Sequence, residues 1–104
     1  MNLKGSLPAL ILETLARGSN HGYAIAQDIK KRSEGVLDFK EGTLYPALHT
    51  LEQAGLIEAW DHEEKGRLRR CYKLTHKGQS VLEREKGEWK RLSGAIGGIL
   101  GGTA

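Results

Sequence analysis

The stretch Glu41-Gly42-Thr43-Leu44-Tyr45-Pro46-Ala47-Leu48-His49-Thr50-Leu51-Glu52-Gln53-Ala54-Gly55 decides the fold. Leu44, Ala47, Leu48 and Leu51 recur at i, i+3, i+4 and i+7, the spacing of one buried helical face. Glu41-Gly42-Thr43 opens the helix and Gly55 closes it. Pro46 is expected in the first turn, where a missing N–H costs nothing. The opposite face carries Thr43, Tyr45, Pro46, His49, Thr50 and Gln53. It is polar but nearly uncharged. A face that met only water would carry more Glu and Lys, so this one is expected to meet a partner.

Two shorter amphipathic segments precede it. Ser6 reads as the cap of a first helix, with Pro8 in its first turn. Leu7, Leu10, Ile11, Thr14 and Leu15 then form a buried stripe, and Gly18 ends the helix with Ser19-Asn20 as the turn. A second helix runs from about His21 or Gly22 to Ser33, with Ile25, Ala26 and Ile29 inside. Gly35 ends it. Residues 36–40 read as an extended connector, with a small strand as the alternative.

Downstream, two β-prone runs, residues 56–62 and 67–74, flank Glu63-Glu64-Lys65-Gly66 and predict a hairpin. On its second strand Leu68, Arg70, Tyr72 and Leu74 share one face, and Arg69, Cys71 and Lys73 the other. Thr75 can cap a last helix, from about residue 76 to residue 100. Leu82, Glu85, Trp89, Leu92, Ile96 and Ile99 follow one another at steps of three and four, a heptad-like seam with one acidic interruption. Gly97-Gly98 and Gly101-Gly102 predict a frayed, flexible end. Three helices, a hairpin and a helix make a mostly α chain of winged helix-turn-helix order. Residues 1–75 would form the winged-helix domain, 76–100 a dimerisation helix and 101–104 a flexible tail.

Totals bound the function. A chain of 104 residues holds one modest core and no separate catalytic domain. Sixteen Lys and Arg against 13 Asp and Glu leave a net charge of +3, which permits nucleic-acid binding without requiring it. A single cysteine, Cys71, forbids an internal disulfide and fits a reducing compartment. No run approaches the ~20 apolar residues of a membrane span, and the first twelve residues do not read as a signal peptide. The expectation is a cytoplasmic protein without membrane contact.

Three motifs in order carry a resemblance. They are His21-Gly22-Tyr23-Ala24-Ile25-Ala26; the segment from Gly42-Thr43-Leu44-Tyr45-Pro46 through Leu51-Glu52 to Gly55-Leu56-Ile57; and Arg69-Arg70-Cys71-Tyr72-Lys73-Leu74-Thr75 with Gly78. Over about residues 6–93 the chain resembles the PadR-like transcriptional regulators of bacteria, in the subgroup with a single long terminal helix. The resemblance implies a homodimer, usually a repressor, on palindromic operator DNA. It also implies, for some members, a cavity spanning the dimer that binds flat aromatic effectors.

The candidate sites follow. The third helix is the expected reader of the major groove, through Thr43, Tyr45, Pro46, His49 and Thr50. Hydroxyls and imidazole can bond bases or phosphates, while the Thr methyl and Pro ring can meet a thymine methyl. The alternative for Tyr45 is sideways packing on the second helix. Tyr23, at the start of that helix, either bonds a phosphate or supports the third helix. Lys65, Arg67 and Arg69 cluster around Gly66, where they can follow the DNA backbone. A solvated charged hairpin is the alternative, and Arg70 can instead pair with an acid. Leu82, Trp89, Leu92, Ile96 and Ile99 are the expected dimer seam. Trp89 either packs that seam or, with Ser93, lines an effector cavity; the resemblance implies that Ser93 stands where some drug-binding relatives place an acid, which argues against cationic drugs.

Trp60 reads as packing. Asp61-His62-Glu63-Glu64 alternate on a strand and make a poor metal cage. No phosphate loop, nucleophile elbow or His-Glu-x-x-His motif is present, so neither an enzyme nor a cofactor is expected. The reading from another class is a winged-helix protein-interaction module with no DNA target.

Overall fold

The computed structural model describes residues 3–101. Its elements are α1 (Leu3–Ala16), β1 (Asn20–His21), α2 (Gly22–Arg32), α3 (Glu41–Gln53), β2 (Ile57–Glu64), β3 (Arg67–Leu74) and α4 (His76–Leu100). The strands form one antiparallel sheet in the order β1-β3-β2.

The core is built around α1. Leu7, Ile11, Leu12 and Leu15 are all buried, so this helix hides more than the single expected stripe. It packs against α2, α3, β3 and α4. Thr14 lies in the same interior, and its hydroxyl donates to the Leu10 carbonyl at 2.9 Å. Leu44, Leu48 and Leu51 from α3, Ile25 and Ile29 from α2, Ile57, Tyr72 and Leu82 complete the cluster. Each fully buried leucine or isoleucine contributes about 2 kcal/mol of transfer free energy.

Several local expectations give way to tertiary context. The first helix starts at Leu3, so Ser6 lies within it rather than capping it, and Pro8 is its sixth residue. Pro46 is likewise the sixth residue of α3, beyond the first turn. Lacking an N–H, it cannot bond the Gly42 carbonyl four residues back. Residues 36–40 form no strand; Leu37 and Phe39 tuck partly against the core instead. The third strand is Asn20-His21, where Asn20 is expected in a turn and His21 at the start of the second helix. Two residues carry no periodicity, and they become a strand only because the free edge of β3 accepts them, Asn20 opposite Tyr72 and His21 opposite Cys71.

The hairpin is tighter than expected. Only Lys65 and Gly66 connect the strands, with φ of 52° and 74°. Positive φ at both central residues is the type I′ pattern, whose twist matches paired strands. Ile57 and Tyr72 anchor its base in the core, while residues 60–68 are exposed. The wing therefore stands out from the body.

Thr75 caps α4 as expected, its hydroxyl accepting from the Gly78 N–H at 3.0 Å. The same hydroxyl donates to the Gly55 carbonyl at 2.7 Å and ties the helix start to the end of α3. Leu82, expected on the dimer seam, is 1% exposed and packs in the chain's own core. Lys86 meets Glu13 of α1 at 3.1 Å. Beyond these contacts α4 runs free and lengthens the molecule to 53 Å against 29 and 21 Å across. The helix runs on through Gly97-Gly98, where fraying is expected, to Leu100, and Gly101 closes it at φ 77°. The remainder of the expected tail, residues 102–104, lies outside the described residues.

Gly78 and Gly87 predict opposite effects of the same substitution. A Cβ at Gly78 would overlap the Leu56 carbonyl oxygen and the Leu74 side chain, whereas one at Gly87 meets nothing within 4 Å. Gly78→Ala should destabilise the fold by about 1–3 kcal/mol. Gly87→Ala should stabilise it by about 0.5–1 kcal/mol through helix propensity. Urea unfolding of the two variants beside the wild type checks both signs.

Candidate nucleic-acid interface

Burying Leu44, Leu48 and Leu51 turns the other face of α3 outward. Tyr45, Pro46, His49 and Thr50 are exposed on it, and Thr43 is half-buried at its start. The Thr50 hydroxyl donates back to the Pro46 carbonyl at 3.0 Å, so its proton is engaged while the residue stays exposed. His49 forms no hydrogen bond or ion pair among the described residues.

Tyr45 takes the sideways position. A Cβ at Gly22 would lie 2.9 Å from its ring and 3.0 Å from its hydroxyl oxygen. The ring therefore rests against the bare backbone at the start of α2, still 41% exposed. Gly22 is the condition for this packing, a role the sequence motif gave no means of reading. Tyr23, the next residue, points to solvent at 57% exposure. Tyr23, Phe39, Lys40 and Tyr45 line a groove of about 290 Å³ between α2, the connector and the start of α3. Lys30 and Lys40 stand beside it, and both meet Asp38, at 3.5 and 3.2 Å. The Lys40 hydrogen bond holds the Asp38 carboxyl below the usual carboxylate range, so these two cations are partly neutralised.

The wing separates its cations into free and fixed. Lys65 and Arg67 are exposed at the tip and form no ion pair among the described residues. Arg70 is fixed: its guanidinium reaches Glu52 of α3 at 3.0 Å and Asp61 of β2 at 3.6 Å. It links the helix to both strands of the hairpin and so sets the wing beside α3. Burial pushes the nearby Tyr72 hydroxyl up in pKa, which keeps it neutral under this cation. Arg69 is also engaged, its Nη1 2.8 Å from Nε2 of His21. The other ring nitrogen of His21 lies 3.2 Å from the Ala24 backbone nitrogen, in the capping position of α2. His21 was quoted within a motif but given no role; Arg69 lies 48 residues further along the chain, beyond the reach of any local pattern.

On α4, Trp89, Leu92, Ile99 and Leu100 are exposed, and Ser93 and Ile96 are half-buried. The grooves of about 290 and 230 Å³ lie elsewhere, the second between α1, α2 and Leu37. Neither is lined by Trp89 or Ser93. No group of three His, Cys, Asp or Glu residues among the described residues could hold a metal ion. No described helix is long and apolar enough to cross a membrane.

A helix-turn-helix whose second helix shows an uncharged outer face, with a basic hairpin clamped beside it, defines a winged-helix transcriptional regulator. The chain belongs to the transcriptional regulator PadR-like family, whose model matches residues 11–84. A transcriptional regulator of Mycobacterium tuberculosis is 32% identical over 94 residues, 90% of this chain and 82% of that one. A PadR family transcription regulator from Clostridium difficile superposes with a TM-score of 0.82 at 34% identity, covering 92% of this chain and 99% of that one. A transcriptional regulator from Clostridium thermocellum gives 0.84 at 30% identity, covering 90% and 89%. These are regulators of transcription and not enzymes.

His21 also sets a pH dependence. Burial first, and the Arg69 charge second, lower its pKa below the ordinary imidazole value, with Glu64 partly offsetting them. The unfolded chain then binds the proton more readily than the folded one. The stability contribution is complete above about pH 6.5 and is lost as pH falls through the lowered folded-state value. His21→Asn places an oxygen in the capping position but cannot titrate. Urea midpoints measured from about pH 8 down to about pH 5 should fall more steeply for the wild type than for His21→Asn.

Proposed function

We propose that two copies of this chain form a cytoplasmic repressor that binds a palindromic operator. In this reading α3 enters the major groove, and Thr43, Pro46, His49 and Thr50 face the bases, while Tyr45, seated against Gly22, borders them. Tyr23, Lys65, Arg67 and Arg69 hold the phosphate backbone on either side. The observation that carries the reading is the juxtaposition of the exposed, uncharged face of α3 with free cations at the tip of a hairpin fixed to that same helix. Base edges are read by hydrogen bonds and apolar contact, whereas backbone grip comes from cations, and here the two chemistries sit on adjoining elements.

The partner copy would cover the distal half of α4, where Trp89, Leu92 and Ile99 are exposed and Ile96 is half-buried. Leu82 is excluded from that seam by its burial. Trp89 and Ser93 from both copies would then line a cavity for a flat aromatic effector, since an indole offers a large stacking face. Occupation of the cavity would change the separation of the two reading heads and release the DNA.

The primary test is a mobility shift with the DNA upstream of the protein's own gene, at several salt concentrations. Specific binding that weakens as salt rises supports the regulator, and no binding to any duplex removes it. Arg67→Ala should weaken binding to all sequences and lower the salt slope by about 1, as expected when one phosphate contact is lost. His49→Ala should instead change the preference among operators by about 1–3 kcal/mol; an equal loss on every sequence would contradict base reading.

Leu92→Asp should yield monomers in sedimentation. It should also abolish any quenching of tryptophan fluorescence by flat aromatic compounds that release the wild type from DNA. A Leu92→Asp protein that stays dimeric removes the seam, and wild-type fluorescence indifferent to every releasing compound removes the cavity.

A further inference from the structure

Arg69 differs from the free cations at the wing tip, because a side chain outside the hairpin holds it. Its Nη1 lies 2.8 Å from His21 Nε2, while His21 Nδ1 lies 3.2 Å from the Ala24 backbone nitrogen. Both neighbours are donors. A guanidinium has no acceptor, and a backbone N–H only donates. A neutral imidazole offers one lone pair and one N–H, and an imidazolium offers no lone pair at all. His21 can therefore satisfy one of these two neighbours and not both, in any protonation state.

The competition has a winner in the free protein. The Arg69 donor is charged and closer, and charge-assisted hydrogen bonds are about twice as strong as neutral ones. On this ordering the lone pair faces Arg69 at Nε2 and the proton sits on Nδ1, and the 3.2 Å contact of the Ala24 N–H, which has the geometry of a helix cap, waits for a lone pair to arrive at Nδ1. The charged groups around the ring are Arg69 on β3 and Glu64 on β2, with Cys71 opposite in register. None of them supplies a second lone pair to the two donors.

We propose that His21 is a positioning residue that changes tautomer when a DNA backbone phosphate takes Arg69. The inference rests on the reading of Arg69 as a DNA contact. With the guanidinium on phosphate oxygens, Nδ1 gives its proton to water and Nε2 takes one up, so the net charge of the ring is unchanged. Nδ1 now accepts from the Ala24 N–H and caps α2. The new Nε2–H faces the space the guanidinium left and donates to the same phosphate. The backbone grip and the first turn of α2 tighten together. That turn carries Tyr23, and its Gly22 seats Tyr45 of α3. A phosphate contact at the wing thereby fixes the helix that reads the bases.

The test follows the ring nitrogens of His21 by NMR in protein labelled with nitrogen-15 histidine, where two-bond correlations separate the tautomers. The probe is a short DNA duplex of arbitrary sequence at low salt, since phosphate contacts carry no sequence information. The free wild type should show Nδ1–H, and the complex Nε2–H. Arg69→Ala, a change on the hairpin outside the core, should show Nε2–H already in the free protein and no change with the duplex. A wild type that binds the duplex, as its amide shifts report, with its tautomer unchanged overturns this inference alone. An Arg69→Ala protein that keeps Nδ1–H overturns it as well. Absence of binding to any duplex overturns the DNA reading and this inference with it.

Discussion

The burial of one face of α3 is the contact on which the molecule depends. Leu44, Leu48 and Leu51 sit among Leu7, Ile11, Leu12, Ile25, Ile57 and Tyr72, and their removal from water holds three helices and the sheet together. The same contact orients the other side of the helix. Because α3 has only one apolar stripe, seating it inside leaves Tyr45, Pro46, His49 and Thr50 no choice but to face out. Stability and presentation of the reading face are thus one event.

Around that helix, polar contacts set angles more than they add stability. Arg70 bridges Glu52 and Asp61 while half-exposed, and surface ion pairs of this kind contribute little on their own, about 0–1 kcal/mol. What the bridge does is fix direction, because one planar guanidinium meets a carboxylate on α3 and another on β2. Thr75 acts similarly, joining the end of α3 to the start of α4 through one hydroxyl. Two glycines let backbones come close where a side chain would hold them apart. Gly22 admits the Tyr45 ring, and Gly78 admits the Leu56 carbonyl. These positions explain why the quoted motifs carry His-Gly-Tyr and a glycine three residues after Thr75.

The last helix changes role along its length. Its first turns belong to the core through Leu82 and to α1 through the Lys86–Glu13 pair. Its distal part carries apolar side chains that its own chain leaves exposed. A continuous helix joins the two, with no break in its span from His76 to Leu100.

The sequence by itself determined the helix order, the hairpin, the α4 boundaries and the inner face of α3. Each of these follows from a short-range rule: periodic apolar residues, a turn glycine, or a capping hydroxyl acting within four residues. Tertiary structure alone decided the rest. Asn20-His21 is a strand only because the edge of β3 needed a partner. Pro8 and Pro46 lie deeper in their helices than propensity suggests, because packing of the apolar faces outweighs one missing hydrogen bond. Leu82 fits a heptad seam by spacing, yet the core claimed it. The Arg69–His21 and Arg70–Glu52 contacts span 48 and 18 residues of chain. No local pattern encodes such pairs, because their energy exists only once the intervening chain has folded and brought the side chains together.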